Sequence, residues 1–158
     1  MIFKDITQFY YQIMTIEPKL LKAMGIDYGL KKTGIAISDN GLSMALPVCV
    51  INVKNQDLLT QNIGKLMQQY EIGFLVLGFP NAQYDSTIYQ EFAQLLATNF
   101  NVPIYLQDET YTSRMADEML KDLGLNRKRR NTIDDKISAK LILENFLEKI
   151  NRIKNAKT

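Results

Sequence analysis

The chain has 158 residues, enough for one domain with a stable core, and its 46% hydrophobic and 23% charged residues are an ordinary globular balance. A net charge of +2 excludes a polybasic character for the whole chain, so any nucleic-acid contact must come from local clusters of Lys and Arg. No histidine and a single cysteine, Cys49, exclude Ser-His and Cys-His nucleophile pairs, histidine-ligated or Cys-cluster zinc, and an intrachain disulfide.

Ile2, Ile6, Phe9, Tyr10 and Ile13 recur at helical spacing and predict an amphipathic helix within residues 1–14, ending before Glu17-Pro18. A strand follows from Ala23 to Tyr28. The glycine-bounded run from Gly29 to Gly34 then turns the chain into a second strand, Ile35 to Asp39, so the two form a hairpin. Asn40-Gly41 marks another turn, and Pro47 to Val53 is a third strand. Leu59, Ile63, Leu66, Met67 and Tyr70 fall on one face of a helix. Phe74 to Gly78 is a wholly apolar run, as expected of a strand buried on both faces.

A second helical stripe, Ile88, Phe92, Leu95 and Leu96, precedes a fifth strand from Pro103 to Gln107. Met115, Met119, Leu120 and Leu123 continue as a helix stopped by Gly124. A final helix, opened by Asp134-Asp135, carries Ile137, Ala139, Leu143, Phe146, Leu147 and Ile150. Ile153 to Thr158, rich in Lys and Asn, is expected to fray. This order predicts one α/β domain over residues 1–158, with a mixed five-stranded sheet of three antiparallel and then two parallel strands, flanked by helices. No apolar run approaches the ~18–20 residues of a membrane span, and Lys4 and Asp5 interrupt any signal-peptide order. The expectation is a cytoplasmic protein without a membrane partner.

Without imidazole, acid–base or metal chemistry rests on carboxylates, lysines, tyrosines or backbone groups. Asp27 lies in an apolar strand beside a glycine turn, where a charged carboxylate is costly unless it caps the turn, is paired or binds metal. Asp108-Glu109 follows the fifth strand, at the carboxyl end where open α/β sheets gather ligands, although a plain polar loop would look the same. Thr132-Ile133-Asp134-Asp135 fits a capping box as well as a ligand. Each signal is weak alone. Together they suit two-metal phosphodiester hydrolysis, which needs hard oxygen ligands holding divalent cations ~4 Å apart. Arg127, Lys128, Arg129 and Arg130 stand upstream of Asp135, Lys31 and Lys32 on the turn after Asp27, and Arg114 near Glu109. All are candidate phosphate contacts, although a basic run between helices also reads as a solvated loop.

The stretch from Gly25-Ile-Asp27-Tyr-Gly29 through Gly34 to Asp39 resembles the opening motif of the YqgF/RuvX family of Holliday-junction-resolvase-like proteins. Leu75-Val-Leu-Gly78-Phe-Pro80, Gln107-Asp108-Glu109-Thr-Tyr-Thr112 and Asp135-Lys-Ile-Ser-Ala139 to Glu144 continue the match in family order, from about Gly25 to Leu147. The resemblance implies a ribonuclease H-like fold and a nuclease that trims the precursor of 16S ribosomal RNA. Asp27 then matches the first-strand carboxylate, Glu109 the acid of an Asp-Glu-Arg motif, and Asp135 the acid of the last helix. These three would act as catalytic residues and hold Mg²⁺ or Mn²⁺ as two ions. The chain departs from the family pattern at Thr110, in the Asn81-Ala-Gln-Tyr-Asp85 loop, and in the extra N-terminal helix. Two alternatives use the same residues. One is a resolvase of branched DNA, for which paired nicks favour a homodimer over a monomer. The other is a nucleic-acid-binding assembly factor whose nuclease site has decayed.

Overall fold

The computed structural model describes residues 1–80, 86–108 and 127–157, and over 127–135 the backbone alone. The N-terminal segment opens on a strand, β1 (Ile2–Phe3), before the helix α1 (Ile6–Ile13). Asp5 rather than Ile2 starts that helix, because its carboxylate accepts the backbone N–H groups of Thr7 and Gln8 at 2.9 and 3.0 Å. A short 3-10 turn (Pro18–Leu20) leads to β2 (Ala23–Asp27), β3 (Thr33–Ser38) and β4 (Ala45–Ile51). Then come α2 (Gln56–Gln69), capped in the same way by Asn55, β5 (Phe74–Phe79), α3 (Thr87–Asn99), β6 (Ile104–Asp108) and a long helix, α4 (Arg127–Ala156).

The sheet order is β1-β6-β5-β2-β3-β4. β2, β3 and β4 form the antiparallel meander, and β5, β6 and β1 run parallel to β2. The mixed sheet is the expected one with a sixth strand added. β1 is too short to carry a periodic pattern, and it exists by pairing Ile2 and Phe3 with Ile104 and Tyr105. At the opposite edge Pro47 removes a backbone donor from β4, a common way to blunt an exposed edge.

Two apolar layers cover the sheet. On one face Phe9 of α1 meets Phe74, Tyr105 and Phe146 with ring centroids 5.5, 5.3 and 5.7 Å away, and α4 adds Ile142, Leu143 and Leu147. On the other, Met24, Ile26, Leu75 and Leu77 pack against Leu59 and Ile63 of α2 and Phe92 and Leu96 of α3. β5 supplies residues to both clusters, which accounts for its uninterrupted apolar run.

Two expectations about the last helix need correction. It already includes Arg127, so Asp134-Asp135 does not open it and capping no longer accounts for these acids. Arg and Lys are good helix formers, which lets the basic run join the helix instead of forming a loop. Its other end runs to Ala156 rather than fraying from Ile153, because Ile153 packs against the α1–α4 cluster. The helix expected around Met115 to Leu123 lies outside the described residues.

Candidate active site

Alternation along β2 sends Ala23, Gly25 and Asp27 toward α4 and Met24, Ile26 and Tyr28 toward α2 and α3. Asp27 is therefore a half-buried carboxylate at the last position of its strand, on the α4 side. The turn beyond it is tight. A Cβ at Gly29 would stand 2.5 Å from the Lys32 carbonyl oxygen, so the backbone closes on itself there only with glycine. The turn carries Lys31 and Lys32, both exposed, at the same end of the sheet as Asp27.

Gly25, two residues earlier, is one of the points where α4 touches the sheet. A Cβ there would lie 2.9 Å from the Ala139 carbonyl oxygen and 2.9 Å from Leu143 Cβ. Past Lys136, α4 crosses Gly25 and reaches Phe74 and Tyr105 through Phe146. At Lys149 the ammonium donates to Gln107 Oε1 at 3.5 Å. Asp135 precedes Ala139 by one turn, so its backbone is about 6 Å along the helix from the Gly25 contact. Asp27 is about 6.6 Å from the same contact along β2. The Asp135 backbone and the end of β2 are thus each a short distance, along their own elements, from the Gly25 contact.

Register carries the site across the sheet. Gly25 is level with Val76 and Tyr105, and Gly78 pairs with Gln107 further along the same strands. Gly78 and Gln107 thus continue toward β6 the row that Asp27 begins. Gln107 is a buried polar residue that residue-pattern reasoning does not single out. Its amide donates to the Asp108 carbonyl oxygen at 3.1 Å while its oxygen takes the Lys149 bond. The available signal is the break in the apolar run of Ile104 to Leu106. Asp108 ends β6 opposite Phe79 and is exposed.

Of the remaining candidates, Glu109 and Arg114 lie outside the described residues, while Arg127, Lys128, Arg129 and Arg130 lie on the α4 backbone upstream of Asp135. Among the described residues no three acidic, cysteine or histidine side chains converge, and of the three candidate ligands Glu109 and the Asp135 side chain lie outside the described residues. That donor set is all carboxylate oxygen, the type that hard divalent cations take. No helix among the described residues is long and apolar enough to cross a membrane.

The family model described as RuvX, Holliday junction resolvase, matches residues 21–149 of this chain. A protein of Rickettsia africae named "Putative pre-16S rRNA nuclease" is 37% identical over 158 residues, covering 97% of this chain and 100% of its own. A Rickettsia typhi protein of the same name is 36% identical over 157 residues, covering 96% and 98%. Among solved structures, the fowlpox virus resolvase with its substrate Holliday junction DNA matches with a TM-score of 0.53, at 12% identity, over 82% of this chain and 98% of its own. T. thermophilus RuvC with a Holliday junction substrate matches with a TM-score of 0.51, at 16% identity, over 82% and 96%. At such identities the likeness shows the fold, the ribonuclease H-like sheet of resolvases.

Proposed function

Because the chain belongs to the RuvX family, described as Holliday junction resolvases, we propose that it is a metal-dependent nuclease cleaving phosphodiester bonds in structured RNA, with the 16S ribosomal RNA precursor as substrate. The observation that supports this reading is the contact of α4 on Gly25, from which the Asp135 backbone is about 6 Å along the helix and Asp27 about 6.6 Å along β2. Loss of the capping explanation for Asp135 points the same way. The full-length relatives supply the substrate class.

In this reading Asp27, Glu109 and Asp135 would hold Mg²⁺ or Mn²⁺, as two ions, and would position the scissile phosphate and the attacking water. When bound, such ions offer Lewis acidity and lower the pKa of a coordinated water. Lys31 and Lys32 on the β2–β3 turn, Arg114, and the Arg127 to Arg130 run neutralise neighbouring phosphates and fix the register of the strand. Charge on the carboxylates keeps the polyanion from settling there without cations, which makes the basic residues part of the same device.

The family description favours a second reading, branched DNA as substrate of the same residues. One experiment separates the two: cleavage of a structured ribosomal RNA precursor and a four-way DNA junction, with Mg²⁺, Mn²⁺ or chelator, by the protein and its Asp27→Asn variant. The expected result is metal-dependent cutting of the RNA that Asp27→Asn abolishes without changing the melting temperature. Cutting that survives the substitution would remove Asp27 from the site. Cutting of the junction alone would make the second reading the right one, and binding without cutting would make the chain an assembly factor.

A further inference from the structure

At the carboxyl end of β5 and β6, toward the β1 edge of the sheet, the surface opens into a recess of about 550 Å³. Its wall is the half-buried ring of Phe79, and its polar rim is formed by Lys4, Ser86, Gln90, Asp108 and Lys149. Lys4 comes from the first residues of the chain, outside the 21–149 stretch that the family model matches. It reaches the recess because β1 ends at Phe3, leaving β6 uncovered from Leu106 onward. Its ammonium rests over the Phe79 ring, 5.4 Å from the centroid. Phe79 pairs with Asp108 one step beyond the level of Asp27, so the recess lies one to two strand spacings, about 5–10 Å, across the sheet from the end of β2.

We propose that this recess takes an unpaired nucleotide of the substrate strand, its base on Phe79 and its phosphate on Lys4; this rests on the nucleic-acid reading above. An aromatic face beside mobile cations is how proteins hold single strands without reading sequence. A duplex keeps its bases stacked inside and cannot offer a face to a ring at the back of a recess, whereas an overhang or an extruded base can. Lys4 does not obstruct the occupant. A base on the ring outweighs an exposed cation–π contact, and the displaced ammonium stays within reach of the following phosphate. Ser86, Gln90 and Asp108 offer donors and acceptors to the edge of the base, and Lys149 adds a second positive charge at the rim. The proposal gives the N-terminal segment a task in substrate binding besides closing the sheet.

The test is binding in chelator, so that cleavage does not enter the readout. An RNA hairpin whose loop is a non-nucleotide linker, with a short single-stranded overhang carrying a fluorescent aminopurine, is compared with the same hairpin made blunt, using the full chain, Phe79→Leu and Lys4→Gln. The Phe79 ring also meets Tyr89 of α3 edge-on, with centroids 6.4 Å apart. Phe79→Leu keeps an apolar side chain there while removing the ring, and Lys4 is exposed, so a melting curve checks the first variant and the second decides if the first fails to fold. The expected result is quenching of the aminopurine and about tenfold tighter binding of the overhung hairpin, both lost in either variant, with blunt binding unchanged. Equal affinity for the two hairpins, or quenching that survives both substitutions, overturns the proposal. Asp27→Asn is assayed apart from these binding measurements, in Mg²⁺ or Mn²⁺. Its effect on cleavage tests the nuclease reading separately, so the two can fail independently.

Discussion

Replacing Gly25 with alanine is the most direct test of the contact that assembles the site. The added Cβ meets the Ala139 carbonyl oxygen and Leu143 Cβ, each at 2.9 Å, closer than real Cβ contacts come. Neither neighbour can swing away, since one is backbone and the other is fixed to it, so no rotamer change relieves the clash and α4 must lift from the sheet. Overpacking of this kind costs about 1–3 kcal/mol. For a domain of this length that lowers the melting temperature by roughly 2–4 °C per kcal/mol, or about 2–12 °C in all. The same displacement moves the Asp135 backbone away from Asp27, and a shift of ~1 Å at a reacting centre can cost about 100-fold in rate. Scanning calorimetry and cleavage of the RNA precursor at about 20 °C, chosen to lie well below unfolding, measure the two effects apart. A Gly25→Ala protein that melts within ~1 °C of the parent and cuts at the parent rate would refute the argument, because α4 would then not be seated where the site requires it.

Removing the charges of the β2–β3 turn with Lys31→Gln and Lys32→Gln should weaken RNA binding with little change in stability. The slope of log affinity against log salt should fall by close to two, one for each phosphate that is no longer neutralised; an unchanged slope would place both lysines off the path. Asp39→Ala addresses stability. Burial raises that carboxyl's pKa, but hydrogen bonds from Ser43 Oγ at 2.6 Å and from the N–H groups of Met44 and Ser43 outweigh it and hold it below its usual value of 3.8. A depressed folded pKa contributes stability that is present above the unfolded value and lost as pH falls through the folded one. Urea midpoints at neutral pH should therefore show a loss of about 1 kcal/mol in Asp39→Ala, narrowing below about pH 4. A difference that persists or grows in acid would mean that those bonds do not set the effect.

Much of this fold can be read from local pattern, and the exceptions share a cause. The β2–β3 hairpin follows from its glycine turn, and the double-sided burial of β5 from its apolar run. Both are properties of neighbouring residues. β1 is not, because two residues carry no period and their strand exists only against Ile104 and Tyr105. Local pattern misplaces the start of α4 because Thr132 to Asp135 satisfies a capping motif that a longer helix overrides. Ile153 is tail by composition and core by contact. In the site, Asp27 stands out as a charge in an apolar strand. Gln107 and Lys4 do not, since one needs the sheet register and the other needs β6's open edge to bring it near Phe79.

The pairing of β1 with β6 also has a consequence for how the protein is made. The partners of the second and third residues are about a hundred positions further along the chain. At a synthesis rate of about 5–20 residues per second, the N-terminal segment waits roughly 5–20 s on the ribosome before β6 has been translated. Throughout that interval Phe3 has no β6 edge to pair with, and Phe9 lacks Tyr105 and Phe146, the second of which is made later still. A nascent chain stalled before residue 104 would present this aromatic segment to chaperones, and one stalled after β6 and α4 have emerged would not.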